Sequence, residues 1–251
     1  MPARPQIAAH RTTMPVVTTP DQDTVMLKFY YSLAPNPMKV ALMVEETGLP
    51  YEAIPVDTRK GEQHAAAFLA LNPNAKVPVI VDGASTVFDS NAILLYLAEK
   101  SGQFLPAPAE RGAMLSWLMF VASGIGPFTG QCVHFKHYAP APDAYAINRY
   151  DFEAWRHWNI LNAQLEGRAW MLGEQYTLVD MAVWGWARAL PFALGAEAFA
   201  QLPNVKRLFD AVNARPAAQR AAALKDRHAF KTEMDTDAQR AMFPQNERLK
   251  V

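Results

Sequence analysis

Asp89 and Ser90 stand one residue before an apolar run, Ala92-Ile93-Leu94-Leu95-Tyr96-Leu97-Ala98. A turn there delivers a hydroxyl and backbone N–H groups to a helix N-terminus, which is a natural seat for a carboxylate. Upstream, Val77-Pro78 opens a β-branched run, with the proline where a missing strand N–H costs least. Asn36 lies between two prolines and reads as a helix N-cap, with Pro37 at the first helical position. Cys132, His134 and His137 are zinc-ligand types. A structural or catalytic zinc site needs further ligands in a polar setting. This segment is apolar and lacks a fourth ligand, so no metal is expected.

These residues need elements to hold them. Val77 to Asp82 reads as a strand, Asp82-Gly83 as a hairpin turn, and the run through Phe88 as the return strand. The helix from about Asn91 is apolar nearly all round and is predicted to be buried. Before it come a strand at 25–31, a helix from Asn36 to Gly48, a strand at 51–56 and a short helix at 61–70 that Asn72-Pro73 ends. A strand–helix–strand unit of this length implies a parallel pair. The order is β-α-β-α-β-β-α.

Residues 103–110 hold Phe104-Leu105-Pro106-Ala107-Pro108, a proline-stiffened linker. From Arg111 onward the pattern is helical: 111–133 with a break near Gly124, then 145–166, 205–214 and 216–225. Thr177-Leu178-Val179-Asp180 has capping-box spacing ahead of a helix over 181–190. That box is assigned to folding. The predicted organisation is a flexible arm at 1–24, an α/β unit at 25–102, the linker, an all-α unit at 111–225, and a charged tail at 226–251 lying over the surface.

Composition removes several function classes. Lys+Arg and Asp+Glu are both 24, so no net field draws nucleic acid or an acidic membrane. A single cysteine excludes an internal disulfide and fits a reducing, cytoplasmic setting. The arm has four prolines and no continuous apolar segment, unlike a secretory signal. The uncharged run from Gly112 to Phe135 is long enough to span a bilayer. Gly124, Gly126, Pro127 and Gly130 break its second half, which reads instead as a buried, kinked helix.

The Val-Pro hairpin and the acidic-Ser helix start together resemble the glutathione site of the glutathione transferases. The chain resembles that superfamily over about 25–225, and the β-α-β-α-β-β-α order is similar to its thioredoxin-like N-terminal domain. Ala34-Pro35-Asn36-Pro37-Met38-Lys39-Val40, the 56–63 segment VDTRKGEQ, GPFTGQCVHF at 126–135 and YAINRY at 145–150 bring it nearest to the bacterial nu class. Members of that class reduce disulfides with glutathione.

The resemblance implies specific roles. The Val77–Pro78 bond would be cis, and Val77 would pair with the peptide backbone of glutathione. Asp89 and Ser90 would hold its γ-glutamyl end, and Lys76 its glycyl carboxylate. Gln63 would touch the tripeptide, and Arg149 would reach it from the helical unit. The thiol-activating group lies after the first strand, where the class carries Thr-Pro-Asn. This chain has Ala34-Pro35-Asn36, so the threonine hydroxyl is absent. The Asn36 amide is left to donate to a thiolate, or else simply caps its helix. Tyr30 and Tyr31 are assigned to packing.

The function implied by the resemblance is that of a homodimeric enzyme using glutathione, or binding glutathione disulfide, to reduce small disulfides, with transfer to electrophiles second. Ala34 keeps open the alternative of a non-catalytic, glutathione-binding regulatory protein.

Overall fold

The structure is a computed structural model that describes residues 26–249. The expected arm at 1–24 lies outside them. Strand β1 (Leu27–Tyr31) is central to a four-stranded sheet ordered β2-β1-β3-β4. It runs parallel to β2 (Tyr51–Pro55) and antiparallel to β3 (Val79–Asp82). β3 turns through Gly83, at φ 58°, into β4 (Ser85–Phe88), and Asp82 is paired with Ser85. Leu27, Phe29 and Tyr31 alternate into the core, as a half-buried strand requires.

Helix α1 (Pro35–Thr47) connects the parallel pair. It starts two residues before the expected Asn36 cap would place it. Ala34, extended at φ −68° and ψ 160°, is the N-cap, and Pro35 and Pro37 both fit the first turn. Neither needs an intrahelical N–H partner there. The expected helix over 61–70 is divided at Ala65 into a 3₁₀ turn (Glu62–His64) and α2 (Ala66–Leu71). α3 (Ser90–Ser101) begins at the serine itself, with Asp89 as its cap.

The helical half opens with α4 (Arg111–Phe120), one π-helical turn (Val121–Ile125) and α5 (Gly126–His137). The expected break near Gly124 is thus a widened turn, and the helix continues through it. Met114, Leu118, Val121, Ile125, Thr129 and Cys132 form its core face. The run is long and apolar enough to cross a membrane by length and composition. Gly124 lies flat on the buried ring of His157, where a Cβ would come within 2.5 Å of Cδ2.

Next come α6 (Ala144–Gln164), α7 (Leu178–Ala187), α8 (Leu190–Leu194), α9 (Ala198–Gln201), α10 (Pro203–Asn213), α11 (Pro216–Ala222) and α12 (Thr236–Met242). The Thr177–Asp180 capping box is present. Asp180, fully buried, accepts from the N–H of Thr177 at 2.8 Å and of Met171 at 2.7 Å.

The two halves meet along α1, which packs on α3, α7 and α11. Glu45 binds Arg220 at 2.7 Å, and Glu46 pairs with Arg215. At Gly185 of α7 an added Cβ would lie 2.8 Å from the Pro35 carbonyl oxygen and from Lys39 Cβ. No larger residue permits so close an approach. The tail is anchored on the α/β half: Lys231 N–H donates to Asp57 at 2.7 Å, and Arg59 donates to the Lys231 carbonyl at 2.8 Å.

Candidate functional site

A cleft of about 570 Å³ runs between the halves. Six of the eight sequence-derived candidates line it: Asn36, Lys76, Val77, Pro78, Asp89 and Ser90. They come from three separate segments that the sheet and α1 bring together. The Val77–Pro78 peptide is cis. Ahead of it, buried Asn72 shapes the loop by donating to the Lys76 carbonyl at 2.7 Å and accepting from Asn74 N–H at 3.0 Å. Asp89, at φ 68°, caps α3 by accepting from Asn91 and Ala92 N–H at 2.9 and 3.1 Å with one oxygen. Its other oxygen and Ser90 remain at the cleft end of the helix. Val121, Gly126 and Pro127 form the facing wall.

Two features of this end were not legible in the sequence. Lys39, fully buried on α1, donates to Asn91 Oδ1 at 2.8 Å, directly behind Ser90. Burial pushes its ammonium down to about 7, against the opposing pull of the Asp89 charge. The other feature is Trp186, whose indole N–H donates to Asn36 Oδ1 at 2.9 Å. Asn36 makes no capping bond to its own helix, so of the two readings offered by the sequence the cap is absent. An exposed-looking Asn between prolines gives no hint of a tryptophan 150 residues away.

A second cavity, of about 400 Å³, adjoins the first and shares Gly130 and Trp186 with it. The 34–36 segment is the partition: Asn36 faces the first cavity, and Ala34 and Pro35 the second. Its walls are mostly apolar, from Leu33, Val133, Tyr138 and Phe192. The tail closes it with Phe230, Thr232 and Met242. The tail thus does more than lie over the surface.

Gln63 and Arg149 are not brought to the cleft. The Gln63 amide is turned under α12 and donates to the Ala241 carbonyl at 3.0 Å. Arg149 is half-exposed on α6 and binds Glu153 at 2.8 Å, one helical turn on. Cys132 is buried away from both cavities, within 3.5 Å of the Ala193 carbonyl, and burial pushes its thiol up. His137 Nε2 meets the Phe192 carbonyl at 2.9 Å, and His134 packs on Phe243. Among the described residues no cluster of metal-ligand side chains forms. Tyr31 packs in the core, its hydroxyl 2.9 Å from His228 Nδ1, and Tyr30 packs on Phe68.

Known proteins resemble both halves of the chain. The model of the glutathione S-transferase N-terminal domain matches residues 34–100, and that of the C-terminal domain matches 153–216. The disulfide-bond oxidoreductase YfcG of Escherichia coli is 41% identical over 200 residues, 76% of this chain and 92% of that protein. The chain belongs to the glutathione S-transferase family. Among solved members of the family, a glutathione transferase from Pseudomonas fluorescens with two glutathione bound is 39% identical, with a TM-score of 0.75 over 80% of this chain and 94% of that one. One from Pseudomonas putida, with one glutathione disulfide bound per subunit, is 38% identical, with a TM-score of 0.75 over 80% and 93%.

Proposed function

We propose that the chain is a glutathione-dependent disulfide reductase of the nu class, working as a cytoplasmic homodimer, with transfer of glutathione to electrophiles as a second activity. In this reading residues 25–102 form the glutathione-binding unit, 103–110 the linker, and 111–225 the helical unit. The observation that carries it is the partition at 34–36, which divides a polar cleft lined by Asn36 from an apolar one lined by Ala34 and Pro35. The names of the bacterial relatives support the choice of reaction.

Glutathione lies in the first cleft. Its γ-glutamyl end meets Asp89 and Ser90, its backbone meets Val77, and its glycyl carboxylate meets Lys76. The α1 N-terminus and the Asn36 amide face its sulfur and favour the thiolate, as donors and a positive dipole end do. The thiolate attacks one sulfur of a disulfide seated in the second cavity. The substrate S–S bond breaks, a mixed disulfide with glutathione forms, and the departing thiolate takes up a proton. A second glutathione thiolate attacks the mixed species, giving glutathione disulfide and the second thiol. Two glutathione molecules are oxidised for each disulfide reduced, and no protein thiol changes state.

The test is retention on immobilised glutathione, followed by turnover of a small mixed disulfide at saturating glutathione. Binding with turnover supports the enzyme. Binding without turnover of disulfides or electrophiles favours the regulatory alternative, and neither binding nor turnover overturns both. Sedimentation of the purified protein tests the dimer.

A further inference from the structure

The indole N–H of Trp186 meets Asn36 Oδ1 at 2.9 Å. Indole is a donor only, so the amide atom facing it must be the oxygen. This fixes the direction of the whole Asn36 side chain. With the oxygen occupied by Trp186, the two N–H groups are what Asn36 has left to offer the cleft it lines. A reversed amide would set N–H against N–H at the indole and turn a carbonyl oxygen toward any anion in the cleft.

The indole is itself held in place. It lies over Gly126 and Gly130 of α5: a Cβ on Gly126 would be 3.2 Å from Nε1, and one on Gly130 would be 3.6 Å from Cη2. Glycine inside a helix is destabilising relative to alanine, and here the two glycines form a floor for the ring. Beside Trp186, Gly185 lets α7 approach the first turn of α1. Three glycines therefore bring one indole to one amide.

We propose that Trp186 is a positioning residue, whose indole N–H holds the Asn36 amide with its N–H groups turned toward the glutathione sulfur. This rests on the functional reading above, in which Asn36 favours the thiolate. It adds that the helical half, through Trp186, sets the protonation state of a thiol bound by the other half.

Trp186→Phe keeps a ring on the glycine floor and removes the donor. The thiol of bound glutathione is titrated by thiolate absorbance, and kcat/KM for a small disulfide is followed against pH. For wild type, Asn36→Ala, Trp186→Phe and the double variant, the expected result is a thiol pKa about one unit higher in Trp186→Phe. The acid limb of the rate profile should move with it, so that activity below the pKa falls about 10-fold, the scale of one charge-assisted hydrogen bond. The double variant should be no worse than Asn36→Ala, because the indole acts through the amide.

An unshifted titration in Trp186→Phe, or losses that add in the double variant, overturns the inference while leaving the function standing. A wild-type protein without turnover overturns the function, and this inference with it. Asn36→Asp covers the case in which Trp186→Phe does not fold. It keeps an oxygen for the indole and puts a second oxygen where the N–H groups stood, so the thiol pKa must rise at least as far as in Asn36→Ala. An unchanged value there would also overturn the inference.

Discussion

Replacing Gly185 by alanine adds a single methyl group at the closest approach of the two halves. That methyl would lie 2.8 Å from the Pro35 carbonyl oxygen and 2.8 Å from Lys39 Cβ. Neither atom is the far end of a flexible side chain, so α1 and α7 must separate. Overpacking of this kind costs about 1–3 kcal/mol. The gain in helix propensity from Gly to Ala offsets about 1 kcal/mol of that. The net expectation is a loss of up to about 2 kcal/mol, which at that upper end lowers the melting temperature by roughly 4–8 °C for a chain of this size. Gly112→Ala is the control. It lies in the exposed first turn of α4 with no atom within 4 Å of the added Cβ, and should raise stability by about 0.5–1 kcal/mol. Thermal unfolding of the two variants beside wild type reads opposite signs. Gly185→Ala should also lower kcat/KM, because the neighbouring Trp186 moves off Asn36. If Gly185→Ala melts with or above Gly112→Ala, the reasoning from close approach is wrong.

Ser90→Ala should weaken glutathione binding by about 1–3 kcal/mol, measured calorimetrically, since it leaves a carboxylate without a charge-assisted partner. Unchanged affinity would mean that backbone N–H groups suffice at the α3 terminus. Cys132→Ser should keep most of the disulfide-reductase rate, because the thiol lies outside both cavities and burial keeps it protonated. A folded but inactive Cys132→Ser would sink a mechanism in which both sulfurs come from glutathione. Lys39 has its folded value lowered from the usual 10.5 to about 7 by burial. Between those values the unfolded chain binds the proton that the folded chain has released, so stability rises with pH across that window. Lys39→Met should lack this rise, and denaturant unfolding at about pH 6.5 and 9.5, on either side of most of that window, measures it. Parallel pH dependence in both proteins would refute the assignment. Asp180→Ala should cost about 2–4 kcal/mol in unfolding experiments, by leaving the buried Thr177 and Met171 N–H groups without their acceptor. The glutathione affinity of the folded variant should not change.

Local order determined what the sequence revealed. The hairpin at Asp82-Gly83, the apolar helix after Ser90 and the Thr177–Asp180 box are each set by neighbours within a few residues. Backbone conformation and hydrogen bonding act over that range, so residue type and spacing suffice. The α/β half followed by the helical half was legible for the same reason, whereas the six residues that line the cleft were named through the family resemblance that their motifs carry. Other features depended on chain segments far apart. Asn36 read as a donor or as a cap, and only the fold shows that its side-chain oxygen is taken by Trp186, 150 residues later. Gln63 looked like a site residue until α12 took up its amide. Arg149 is held by a carboxylate on its own helix, and only its position in the fold shows that it lies away from the cleft. Lys39 looked like one more helix lysine, yet it is buried between the halves on Asn91. Pattern carries the periodicity of a helix but not which of its faces meets another helix, or how closely. Here that distance is set at Gly185, where the absence of a side chain lets two halves of the chain share one site.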